Sequence, residues 1–312
     1  MNDTIRIHQI FYEEYQLRQL DPAFIQLDAR RSPEAHLFEI YWLLKLFDSG
    51  FHNEADLTGA VSWRFSEKTQ LTGREFIEFI KKNPGFDVYF VNPYPQLAYR
   101  FFNVWEQGEN AHPGIKTLAQ NLMDDADYGL SIEEMGRNDN RTLLYCNYWA
   151  GNSRFWREYI SYVKPLFACS TNAHRPRDKN PYFRMTKYHL KPAPFFPFIF
   201  ERLFSTFLLA NDSVKACPYI HGQENTLIQF KTQKDKDDFA RSIRLIDDLD
   251  GLFRHNGGSE EHRRLFKSLV KERGRKSPNL LTDAAMKTIP ARRSIINSSR
   301  VRPVHRVEVQ DV

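Results

Sequence analysis

Glu201 and Arg202 lie inside the apolar run FPFIFERLFSTFL. Charges within so apolar a helix are costly to bury unless they are paired or functional. Turned toward a cleft, Glu201 is a candidate general base and Arg202 a candidate partner for a departing anion. Turned toward an exposed edge, they are a solvated pair. The stretch NVWEQGENAHPG, residues 103–114, is denser, with Glu106, Glu109 and His112 within seven residues beside Trp105. Glu106 is a second candidate base, and Trp105 with His112 can form a platform for a sugar ring. A loop carrying surface acids would have the same composition.

Three further positions stand where an apolar stretch stops. Arg64 follows GAVSW, and a guanidinium there can clamp a diphosphate or form a structural salt bridge. Asn92 ends DVYFV and offers a polar tip for donor binding. Asn147, Tyr148 and Trp149 follow LLYC; Asn147 and Trp149 are candidates for acceptor binding, or they cover the sheet.

Metal chemistry has less to work with. Asp-x-Asp pairs of carboxylates suit magnesium or manganese, which take oxygen ligands. Three such pairs occur, Asp125/Asp127, Asp235/Asp237 and Asp248/Asp250. All belong to charged helical segments, where a solvated face explains them. Asp87, at the start of DVYFV, is the remaining metal candidate, so the cofactor stays open between a divalent ion and none. The chain has no GxGxxG, P-loop, GxSxG, HExxH or CxxC sequence.

The elements that must position these residues follow from periodicity and capping signals. IRIHQIFY, residues 5–12, alternates as a strand. Residues 14–32 read as a loop with short helical pieces. Ser32 and Pro33 open a helix that Gly50 stops. A strand runs through Gly59–Phe65. Thr72 and Glu75 form a capping box for a helix ended by Asn83-Pro84-Gly85. A strand follows at 87–91, a helix over GIKTLAQNLMDDADYG, a strand within 141–152 and a helix capped by Ser153. A long polar connection, residues 170–197, precedes the helix that carries Glu201. A short strand and a charged helix follow, and a basic amphipathic helix closes the sequence of elements.

Strand–helix alternation over about the first 165 residues predicts an α/β sandwich with a mostly parallel sheet. Ligands on such sheets bind beyond the carboxyl ends of the strands. The expected organisation is one α/β domain over 1–255, with its core in 5–165 and a long loop and helical part in 166–255. A basic helix, 256–276, and a disordered basic tail, 277–312, follow.

Composition narrows the class. Hydrophobic residues make up 41% and aromatics 14%, which a packed domain uses and a disordered chain does not. Residues 254–312 hold 14 Lys/Arg against 6 Asp/Glu, a net +8; the chain carries +5, leaving the body at −3. A mildly acidic body argues against a broad nucleic-acid surface. The basic tail suits anionic lipid headgroups. Three widely spaced cysteines, no bilayer-length apolar run and no signal-peptide pattern at the start predict a cytoplasmic protein.

Taken together, GAVSWRFSEKTQLTGREFIEFI, NPGFDVYFVNPYP, NVWEQGENAHPG, LLYCNYWAGNSRFWREYI and FPFIFERLF resemble proteins of bacterial surface-polysaccharide gene clusters. More distantly, their order is similar to capsular-polysaccharide glycosyltransferases. The resemblance covers about residues 5–210. It implies a GT-A-like, Rossmann-type domain that moves a sugar from a nucleotide-diphosphate donor to a growing polysaccharide or lipid-linked acceptor; the basic tail would hold it at the inner face of the plasma membrane. It departs from that pattern where an Asp-x-Asp is expected, since the strand offers only Asp87 and Asn92. A non-catalytic carbohydrate- or partner-binding α/β protein is the alternative, and nucleic-acid binding through the tail ranks last. The mechanism requires Arg64, Asn92, Glu106, Asn147 and Glu201 to line one cleft.

Overall fold

The computed structural model describes residues 3–171, 179–186, 192–254 and 259–276. The expected disordered tail, 277–312, lies outside the described residues. The central sheet contains β1 (Ile5–Phe11), β2 (Ile25–Asp28), β3 (Leu57–Ser62), β4 (Val88–Phe90), β5 (Trp149–Gly151) and β8 (Ala216–Pro218), in the order β2-β1-β3-β5-β4-β8. The pairs β1–β2, β1–β3 and β4–β8 are parallel, and β5 runs antiparallel to both β3 and β4. A second sheet pairs two antiparallel strands, β6 (Met185–Thr186) and β7 (Ala193–Pro194). The chain is thus an α/β protein with a mostly parallel sheet.

Strand alternation divides the core. Ile10, Ala60, Val88, Phe90 and Trp149 point into the larger core. That core is covered by α1 (Phe38–Asp48), α4 (Val104–Ala111), α5 (Ile115–Asp125), α6 (Ser153–Ser170) and α7 (Phe195–Ala210). Ile7, Leu57, Val61, Tyr89 and Ala150 point to the other face, packed by α2 (Phe65–Thr69) and α3 (Gly73–Lys82). Gly59 lets β3 and β5 approach, since a Cβ there would stand 2.3 Å from the Trp149 carbonyl oxygen. After α8 (Gln223–Leu227), α9 (Gln233–Leu252) and α10 (Glu260–Lys276) form a helical hairpin whose Phe266 joins the larger core.

Local chemistry explains both agreement and departure. The Thr72–Glu75 capping box is present as the sequence predicts. Asn152, not Ser153, caps α6 by accepting from Phe155 N at 2.8 Å. The helix expected from Pro33 begins only at Phe38, after a 3-10 turn and a left-handed residue, Phe38 itself (φ 54°). The strand expected through Phe65 stops at Ser62, and Phe65–Thr69 turns into helix α2. The strand expected within 141–152 shortens to Trp149–Gly151, because Cys146 and Asn147 are both left-handed (φ 67° and 53°). The strand expected after residue 222 is helical, while β2 and β8 arise in stretches too short for periodicity to mark.

Candidate functional site

The carboxyl edge of the parallel strands gathers polar residues from almost every strand. Tyr12 follows β1, Lys68 lies in the helix after β3, and Asn92 and Tyr94 follow β4. Because β5 is antiparallel, the turn that enters it, Tyr145–Tyr148, comes to this same edge; Val91 N donates to the Tyr148 carbonyl at 2.9 Å. His221, beyond β8, hydrogen-bonds the Asn92 carbonyl through Nε2 at 2.8 Å. Two carboxylates reach in from the helical layer, Glu39 on α1 and Glu201 on α7.

Lys68 is the centre of this group. Its Nζ donates to Cys146 Sγ at 3.1 Å, and Glu201 Oε1 accepts the Cys146 backbone N–H at 2.8 Å. Ser62 Oγ and Tyr148 Oη share a hydrogen bond of 2.8 Å close by. Protein surrounds Lys68, Glu39, Cys146 and Glu201, yet each keeps some accessible surface.

Burial sets the protonation states. It pushes the Cys146 thiol up to about 12, against the opposing charge of Lys68, so the thiol is neutral at neutral pH. Burial pulls the Lys68 ammonium down, Cys146, Tyr148 and Tyr94 would raise it once ionised, and the Glu201 carboxylate raises it, so that the balance leaves Lys68 well above the ordinary lysine value. Burial also raises the Glu39 carboxyl, opposed by Lys68 and reinforced by Glu201. Tyr12 and Tyr148 are raised by burial and stay neutral phenols.

Backbone strain collects at the same place. Among the described residues, Phe38, Gln70, Asp127, Cys146 and Asn147 are the non-glycine residues with positive φ. All but Asp127 are in or within two residues of Glu39, Lys68 or Cys146. Left-handed conformations cost non-glycine residues of order 1–3 kcal/mol and concentrate at functional sites. Several buried polar atoms here also lack a protein hydrogen-bond partner: Tyr12 Oη, Asn92 Nδ2, Tyr145 Oη and Asn147 Oδ1. Such atoms are the exception in folded proteins.

The sequence candidates divide. Glu201, Asn92 and Asn147 belong to this edge, and Arg64 stands near it, within electrostatic reach of Tyr94 and Tyr148. Arg64 Nε donates to Glu67 at 2.8 Å, and its guanidinium lies over the Trp63 ring. Glu106 is held elsewhere, by Arg263 at 2.9 Å and Lys267 at 3.1 Å on α10. Arg202 is 2% exposed and bonds the Val104 and Phe198 carbonyls and Gln107, so it fastens α7 to α4. Trp105 is buried and donates to Thr206 Oγ1; Trp149 is buried among Phe155, Trp156 and Tyr159. His112 is buried and stacked on Phe198.

The sequence marks neither Lys68, Glu39 nor Tyr12 as a candidate. Glu39 carries the signal that marked Glu201, an acid inside an apolar run, HLFEIYWLL. Lys68, in SEKTQ, carries none, because a lysine in a charged turn is ordinarily solvated.

The metal candidate stands away from this edge. Asp87 stands at the opposite, amino end of β4, where its carboxylate accepts from Asn152 Nδ2 at 3.0 Å and Lys215 N at 2.9 Å. Asp250 is buried against Arg137 and His262, and Asp125 meets Tyr182. Among the described residues no three His, Cys, Asp or Glu side chains gather as a metal set would require. Among the described residues, too, no helix is long and apolar enough to cross a membrane. Fold and site together define an α/β protein with a polar site at the carboxyl edge of its sheet. Comparison with protein-family models, curated proteins and solved structures finds no match for the chain.

Proposed function

We propose that this edge is the active site of a GT-A-like glycosyltransferase. In this reading the protein transfers a sugar from a nucleotide-diphosphate donor to a polysaccharide or lipid-linked acceptor. The supporting observation is the convergence of Lys68, Glu39, Glu201 and the turn 145–148 where ligands of parallel sheets bind. The sequence resemblance supplies the reaction class. Glu201 is the general base: one carboxylate oxygen is fixed by Cys146 N, and the other is left for an acceptor hydroxyl. Glu201 takes the hydroxyl proton as the acceptor oxygen bonds to the anomeric carbon. The bond from that carbon to the diphosphate oxygen breaks, and the electron pair leaves with the nucleoside diphosphate. Neutral tyrosines around the site supply hydrogen bonds and ring faces for the sugar.

A panel of nucleotide-diphosphate sugars, assayed for transfer and for slow donor hydrolysis, tests this. Turnover with one donor, lost roughly 100-fold or more in Glu201→Gln with the fold intact, is the expected result. Absence of binding to every nucleotide would favour a non-catalytic binding protein. Full activity in Glu201→Gln would remove the base assignment. Contact with an anionic membrane through residues 277–312 is part of the proposal and is tested by vesicle co-sedimentation with and without that segment.

A further inference from the structure

We propose that the Lys68 ammonium holds the anionic diphosphate of the donor, so that donor binding requires no divalent cation. The inference rests on the glycosyltransferase reading for the identity of the ligand, but the anion site itself stands on the geometry.

An ammonium has three donors and no acceptor. Lys68 uses one, toward a neutral thiol, which is a weak acceptor. Among the described residues no carboxylate forms an ion pair with it, although Glu39 and Glu201 lie within electrostatic reach. Several cations with buried or half-buried heads are treated differently here, although Arg273 bonds the Tyr99 carbonyl and leaves two further nitrogens without a partner. Arg137 has Asp250, Arg263 has Glu106, Arg64 has Glu67, and Arg202 has two backbone carbonyls and an amide oxygen. A partly enclosed cation with two donors left to solvent gains from an anion that completes it.

The surroundings admit an anion. The Cys146 thiol is neutral, and burial raises the Glu39 carboxyl, which lowers the negative charge it presents. Tyr94 and Tyr148 lie within electrostatic reach of Lys68. Tyr148 is a neutral phenol whose hydroxyl already shares a hydrogen bond with Ser62 Oγ, so it adds no negative charge beside an anion. Lys68 itself sits in the first turn of structure after β3, beside the antiparallel strand that interrupts the parallel pairs. Such points are where anionic ligands meet open α/β sheets. The end of β4, by contrast, carries Asn92-Pro93-Tyr94 and no carboxylate, while Lys68 already supplies positive charge at this edge.

Isothermal titration of the full chain with inorganic pyrophosphate and with uridine, guanosine and cytidine diphosphates tests the inference, each in EDTA and in Mg²⁺ or Mn²⁺. Expected are affinities in EDTA within about threefold of those with metal for at least one probe. Lys68→Met should lose roughly ten- to a hundredfold in that affinity, the size of a charge-assisted contact, and Lys68→Arg should keep part of it. Circular dichroism and unfolding curves confirm that both variants fold. Binding that appears only with a divalent ion, no binding of any probe, or wild-type affinity in Lys68→Met would each overturn the inference. The two proposals fail separately. Lys68-dependent pyrophosphate binding without any sugar transfer leaves the anion site and removes the enzyme; sugar transfer that needs Mn²⁺ leaves the enzyme and removes the metal-free site.

Discussion

Arg137 and Lys68 are two enclosed cations in one chain, and the fold treats them in opposite ways. Arg137 donates to both oxygens of Asp250 at 3.0 and 3.1 Å and to the carbonyls of Ala98, Phe101, Phe102 and Asn138. Its guanidinium also lies 4.4 Å from the Phe266 ring centroid. Asp250 in turn accepts from His262 Nε2 at 2.9 Å, so one network locks α9, α10 and the loop after α4 and α5 together. Lys68 has one thiol. Complete satisfaction marks a charge that belongs to the architecture; a donor left open at the carboxyl edge of the sheet is one that a ligand there can complete.

The largest expected effect falls on the architectural side. Asp250→Ala leaves Arg137 buried without its counter-charge and should lower the unfolding free energy by about 3–5 kcal/mol, read from urea denaturation. A loss below about 1 kcal/mol would mean that the carbonyls alone suffice and would blur the contrast. Lys68→Met should go the other way. Its unfolding free energy should match the wild type within about 1 kcal/mol or exceed it, because an under-satisfied charge is replaced by an apolar chain of similar reach. Clear destabilisation there would make Lys68 a structural cation like Arg137.

Strain gives the third test. Asn147→Gly relieves a left-handed residue and removes a buried unpaired oxygen, and should add about 0.5–1 kcal/mol of stability in the same assay. The smallest effect concerns pH. Burial is the main cause that lowers the pKa of His262 from its ordinary value of 6.5, against the opposing pull of Asp250. A histidine with a depressed folded pKa binds protons more readily when unfolded. Its contribution is therefore complete above pH 6.5 and is lost as pH falls through the folded value. The melting temperature should drop between pH 7 and 5, and His262→Gln should flatten part of that drop.

The sequence shows the architectural side better than the chemical one. Capping signals and helical period are local, so α3, α5, α6, α7 and α9 can be read directly. Alternating strands and helices likewise announce a mostly parallel sheet. Glu201 is visible as a charge in an apolar helix. Its partner group is not visible, because Lys68 and Cys146 are 78 positions apart and meet only through the sheet order. The same rule that marked Glu201 misleads at Arg202, where backbone carbonyls and an amide satisfy the charge inside the protein. Glu106 and His112 are close in sequence but take different surroundings, an ion pair with α10 and a ring stack on α7.

The reversed strand β5 has a consequence for the order in which the molecule assembles. β1, β2 and β3 pair within residues 5–62, so that half of the sheet can form from a short length of chain. β4 joins β3 only through β5, which is supplied some 60 residues after β4. Closing that larger loop is the slower event. The turn bearing Cys146 comes into place only as β5 seats, so Lys68 meets its partner after the β1–β3 half has formed. In a refolding time course, helical signal should return before pyrophosphate binding does.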